Sequence, residues 1–146
     1  MIPAFEEDGL LPQGVHWSSW EELVDRYGCN VRRRMLLVGL WAALQNLKAA
    51  GCRTVWLNGS FVTVKEEPND FDACWDESGV DPELLDPVLL TFDEGRATQK
   101  AKYMGEMFPS ATIANLGGWS FLDFFQTDRE TGRRKGIVAI DLGGLE

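Results

Sequence analysis

The chain has 146 residues, 45% of them hydrophobic and 25% charged, which suits one ordinary domain with a real core. A net charge of −9 opposes strong non-specific DNA binding, because that binding depends on neutralising phosphates. The longest apolar runs, such as residues 35–40, are far too short to span a bilayer, and the acidic opening segment lacks the basic start of a signal peptide.

Three widely spaced cysteines (Cys29, Cys52 and Cys74) form no CxxC motif, and one histidine, His16, cannot complete a usual zinc site with them. Such sparse cysteine usage suits a reducing compartment. A cytoplasmic protein with no membrane partner is the expectation.

In chain order, residues 1–17 read as an irregular arm containing Pro3, Pro12 and Gly14. Ser18 followed by Glu21 is a capping box that opens a short helix running to Tyr27, and Gly28 ends it. Asn30 can cap the next helix. Leu37, Leu40, Trp41, Leu44 and Leu47 recur at steps of three and four along it, and Gly51 stops it. Arg32, Arg33 and Arg34 lie in its first turns, where the helix dipole disfavours cations. They are therefore expected to serve a salt-bridge partner or an anionic ligand.

Residues 53–58 and 71–75 read as strands. Residues 82–85 suggest a brief helix or turn. The run "DEGRATQKAKYMGEMF", residues 93–108, reads as one helix closed by Pro109. Residues 111–114 read as a short strand. Residues 119–126 and 136–142 read as a strand pair joined by the basic loop "TDRETGRRK" with Arg129, Arg133, Arg134 and Lys135. The sum is an α+β domain spanning residues 1–146. Its small sheet is mixed or antiparallel, and its helices pack mainly on one face.

The most informative stretch is "TVWLNGSFVTVKEEPNDFDACWD", residues 54–76. In a strand, Asp70 and Asp72 project to one face roughly 7 Å apart, while Phe71 faces the core. Paired carboxylates repel and raise each other's pKa. A hard divalent cation with substrate phosphates reverses that penalty. Gly59–Ser60 ends the preceding strand, where a glycine lets backbone approach a ligand and exposed amides plus a hydroxyl suit a phosphate. Pro68–Asn69 turns the chain back.

A strand ending in Gly-Ser, a loop of nine residues and an Asp-x-Asp on the next strand, with a helix before, resembles the minimal nucleotidyltransferase pattern of the DNA polymerase β superfamily. The phrases "WLNGSFVTVKEEPNDFDACWD", "GRATQKAKYMGEMFP" and "FFQTDRETGRRKGIV" also resemble small bacterial and phage nucleotidyltransferase-like proteins. That resemblance implies Mg2+ or Mn2+ at Asp70, Asp72 and a third carboxylate on a neighbouring strand. It also implies an NTP whose phosphates rest on Gly59 and Ser60, and transfer of a nucleotidyl group to a hydroxyl with release of pyrophosphate.

Asp123, in "WSFLDFFQ", is the first choice for the third carboxylate, and Asp141 competes with it. Lys65 and the pair Arg96 and Lys100, four apart on one helical face, are candidates for the phosphates, with Lys135 weaker. Cys74 falls on the face of Asp72 and suits a buried small hydrophobe. The family's arginine soon after Gly-Ser is missing, since Phe61-Val62-Thr63 stand there. No separate acceptor-binding domain is visible, so the acceptor (small molecule, protein or RNA) is met by these elements, by a protein partner or in a homodimer. The resemblance suggests a toxin–antitoxin or phage-defence setting. The alternatives are a nucleotide sensor or antitoxin-like protein without turnover, and an interaction protein whose Asp pair only solvates a loop.

Overall fold

The computed structural model describes residues 1–112, 117–128 and 131–145. Five strands form one mixed sheet: β1 (Gly14–Ser18), β2 (Thr54–Asn58), β3 (Phe71–Trp75), β4 (Gly105–Pro109) and β5 (Gly136–Asp141), in the spatial order β1-β5-β2-β3-β4. β2 runs antiparallel to both β3 and β5, whereas β1–β5 and β3–β4 are parallel pairs. Among the described residues four helices accompany the sheet: α1 (Trp20–Tyr27), α2 (Val31–Ala49), α3 (Ala97–Tyr103) and α4 (Phe121–Phe125).

The core lies under one face of the sheet. Leu36, Leu40, Ala43, Leu44 and Leu47 of α2 pack with Val55 and Leu57 of β2, Phe71, Ala73 and Trp75 of β3, Met107 of β4, and Val138 and Ile140 of β5. These strand residues alternate, as one buried face requires. α1 and α3 join the same cluster through Leu23, Tyr27 and Tyr103. α4 lies on the other face, where its Phe121 stacks on Phe108 of β4 at 4.0 Å. The helices are therefore mainly, but not wholly, on one side.

The helix signals act much as expected. Ser19, one residue later than the expected cap, accepts the amide of Glu22, and Gly28 is the C-cap of α1. Asn30 accepts the amide of Arg33 at the start of α2. The arginines at that start are engaged by backbone carbonyls. Arg33 is buried and donates to the carbonyls of Phe61, Thr63 and Lys65. Arg32 donates to the carbonyls of Pro68 and Asn69, and Asn30 to that of Glu66. Tyr27 adds a hydroxyl bond to the carbonyl of Val62. The loop between Gly-Ser and the Asp pair thus hangs from the start of α2 by its own carbonyls.

Several expected elements differ. The arm contains a strand: Gly14 to Ser18 pair with Gly136 to Ile140, so residues 1–17 are not simply irregular. The expected helix over 93–108 splits. α3 ends at Tyr103, Met104 takes a left-handed conformation (φ 67°), and the chain continues as β4. Local helix formers lose here to pairing with β3, since Gly105 sits opposite Phe71, where a Cβ would meet the ring at 2.6 Å. The buried Gln99 of α3 then bonds both the amide and the carbonyl of Met107, acting as a neighbour on the open side of β4.

Residues 119–126 hold a helix instead of a strand. Ser120 caps α4 by accepting the amide of Asp123, and Phe121, Phe124 and Phe125 follow the helical steps of three and four. The second member of the expected strand pair is β5, and among the described residues an isolated bridge, Thr127 with Arg134, joins the two segments. The brief helix or turn expected at 82–85 is a turn over residues 82–84, and a 3-10 turn over Pro87–Leu90 follows it. Residues 111–112 of the strand expected at 111–114 lie in a turn and bend; residues 113–114 and Arg129 are outside the described residues. No helix is long and apolar enough to cross a membrane, among the described residues.

Candidate active site

The end of β2 and the starts of β3, β4 and β5 meet at one edge of the sheet. Asn58 lies opposite Asp72, and Asp72 lies opposite Glu106, so a polar row crosses three strands on the face away from the core. A cleft of about 740 Å³ opens there. Gly59, Ser60, Asp72 and Glu106 line it together with Lys65, Arg96 and Lys135.

Gly59 has no substitute at its position. Its φ is +75°, and a Cβ there would lie 2.1 Å from Asp72 Oδ2. The missing side chain lets the turn Gly59–Val62 close directly over the carboxylate. Ser60 follows into the cleft, and its carbonyl accepts both the amide and the hydroxyl of Thr63.

Asp72 and Glu106 line this cleft; Asp70 does not, but its charge bears on Asp72 and that of Glu106 on it. Burial first, then the hydrogen bond with Glu106 and the charges of Asp70 and Glu106, push the Asp72 carboxyl up to about 8. Asp72 therefore carries the shared proton. Glu106 feels a raising effect of burial, but the hydrogen bonds from Asp72 and Arg96 outweigh it and hold its carboxyl below the usual range. Arg96 Nε and Nη2 lie 2.9 and 2.8 Å from Glu106 Oε1. Lys100 Nζ lies 3.5 Å from the same oxygen and 3.8 Å from Asp70 Oδ2. Burial also raises the Asp70 carboxyl, with the Glu106 charge adding to it and Lys100 and Arg32 opposing it.

The carboxylate that the sheet places beside Asp72 is Glu106, and neither Asp123 nor Asp141 stands there. Asp123 lies exposed on α4, its amide bonded to the cap Ser120; the phenylalanines around it, not Asp123, line the cleft. Asp141 pairs opposite Thr54, at the far end of β2 from Asn58, and its side chain accepts the amide of Gly143. Both expectations assumed the wrong neighbour for β3. The signal for Glu106 was the alternation in "GEMFP" after a glycine, masked by the helix formers before it.

Of the expected phosphate contacts, Lys65 and Arg96 face the cleft and Lys100 reaches it through Glu106. Lys135, weighted least, lines it too, and its charge bears on Asp72. Cys74 is fully buried, as expected of a small hydrophobe.

Among the described residues no three His, Cys, Asp or Glu side chains stand gathered as a metal cage. The donor chemistry still fits a hard cation. Two aspartates and a glutamate supply oxygen ligands, and Mg2+ is usually held by one or two carboxylates with substrate phosphates completing its shell. Asn58 Oδ1, buried beside Asp72 and lining the cleft, has no hydrogen-bond partner among the described residues.

The fold and this edge define an α+β protein with a glycine-floored acidic cleft on a mixed sheet. The chain belongs to the DUF6932 family, a family of unknown function whose model matches residues 3–141. Neither the curated proteins nor the solved structures give a match.

Proposed function

We propose that this protein is a Mg2+-dependent nucleotidyltransferase of the polymerase β type that moves a nucleotidyl group from an NTP to a hydroxyl acceptor. The observation that carries the reading is the meeting of Gly59–Ser60 with Asp72 and Glu106 on one cleft edged by cations. Asp70, Asp72 and Glu106 would hold the cation, which, when bound, neutralises phosphate charge and lowers the pKa of the acceptor hydroxyl. The Gly59–Ser60 turn and Lys65 bind the outer phosphates. Arg96 and Lys100 turn from Glu106 and Asp70 toward the triphosphate as it enters. The acceptor oxygen bonds to the α-phosphorus, pyrophosphate leaves, and the acceptor proton passes to a carboxylate of the cluster.

A second reading, a nucleotide-binding protein without turnover, draws support from the ion pairs of Arg96 and Lys100 with Glu106 and Asp70, which already neutralise the acidic row. Calorimetry with each NTP, with and without Mg2+, separates these from a purely structural Asp pair. Mg2+-dependent binding that disappears in Asp70→Asn/Asp72→Asn supports the site. Release of labelled pyrophosphate by wild type but not by Glu106→Gln, with NTP binding retained in both, supports turnover. Binding without release supports the second reading, and no binding of any NTP overturns both.

A further inference from the structure

We propose that the phenylalanine wall of the cleft is a stacking platform for the nucleobase, holding it without reading its identity. The inference rests on the nucleotide reading above and assigns the end of the cleft that the base occupies.

Phe108, Phe121, Phe124 and Phe125 line the cleft together with its charged residues. None of them belongs to the main core cluster. Phe108 is sandwiched between Phe121, at 4.0 Å and 9°, and Phe92, at 5.8 Å and 13°. Phe125 meets Phe108 at 6.3 Å and 61°. Phe121 and Phe124 are half-buried on the cleft wall. A second cluster of rings, separate from the core and facing a polar cleft, is what a flat apolar ligand needs.

The wall is also joined to the chemistry. Phe108 follows Glu106 by two residues on β4, so both face the cleft roughly 7 Å apart along the strand. Phe108 in turn backs Phe121, so the ring wall and the carboxylates stand side by side in one cleft. The Arg96 guanidinium, 5.7 Å from the Phe108 ring centre, stands where the two ends meet. Phenylalanine rings carry no hydrogen-bond group, and stacking accepts every base because every base has a π-face.

The test uses the full chain and calorimetry with the Mg2+ complexes of ATP, GTP, CTP, UTP and inorganic tripolyphosphate. Wild type is expected to bind the four nucleotides within about fivefold of one another. Phe124→Leu, which keeps apolar volume and removes the π-face, should weaken all four about tenfold and leave tripolyphosphate unchanged. Phe124→Trp should restore nucleotide binding, and its unchanged melting would show that the fold tolerates the position. Unaltered nucleotide affinity in Phe124→Leu, an equal loss for tripolyphosphate, or a hundredfold preference for one base overturns the platform while leaving the nucleotide reading in place. Failure of wild type to bind either nucleotides or tripolyphosphate overturns both together.

Discussion

Asp72 is held protonated by its surroundings: the Gly59 turn closes over it on one side and Glu106 bonds it on the other. Its carboxyl moves from 3.8 in the unfolded chain to about 8 in the fold. Above about pH 4 the unfolded chain has released a proton that the native state still binds. The contribution to stability is therefore complete below that pH and is lost as pH rises toward 8. Asp72→Asn keeps the shape, can donate to Glu106 and cannot ionise. The variant is expected to melt above wild type at pH 8–9, with the gap closing as pH falls toward 4. Equal melting at pH 9, or a lower-melting variant, would count against a buried proton.

At the scale of elements, the start of α2 does more than begin a helix. Arg33 is 2% exposed, its guanidinium takes three carbonyls of the loop after Gly-Ser, and burial lowers its pKa from the usual value. Its fork serves diverging acceptors that a single ammonium cannot all reach. Arg33→Met leaves buried carbonyls unpaired, at about 1–3 kcal/mol for each that stays dry. Urea denaturation should show a loss of about 3 kcal/mol or more, with Arg33→Lys recovering less than half. Limited proteolysis should cut the variant within residues 61–69. An intact loop and unchanged midpoint would mean that Tyr27, Asn30 and Arg32 suffice. The loop's position follows from long-range bonds, and the carbonyl partners of these arginines were not legible because a sequence displays its side-chain charges but not which backbone carbonyls lack partners.

For the whole molecule, the order β1-β5-β2-β3-β4 places the earliest strand against the last. β5 is buried along Gly136 to Ile140, and β1 covers its outer edge. Removing residues 1–18 would strip the ladder from β5 and uncover a hydrophobic edge. The truncated chain is expected to aggregate or lose its cooperative melt, seen by gel filtration and circular dichroism; a soluble, native-like truncation would show that the arm is dispensable. The arm also reaches the cleft, where Asp8 and Leu10 line the wall and Arg133 pairs with Glu6 and Asp8. Deletion should therefore disturb ligand binding even where some fold survives.

The sequence by itself determined the parts whose signals are local: α1 and α2 through caps and an apolar stripe, β2 and β3 through alternation, and the glycine-to-aspartate hinge between them. Caps, periods and turn residues act within a few positions, so they are legible one segment at a time. Tertiary structure alone decided β1, β4, α4 and the identity of the third carboxylate. Each of these elements is only five residues long, as β2 and β3 are, but lacks the clear local signal those two carry. At that length, propensity is outweighed by what lies alongside: Gly105 against Phe71, Gln99 against Met107, Phe121 against Phe108. Glu106 became part of the site because β4 pairs with β3, a contact between segments more than thirty residues apart that no local pattern encodes.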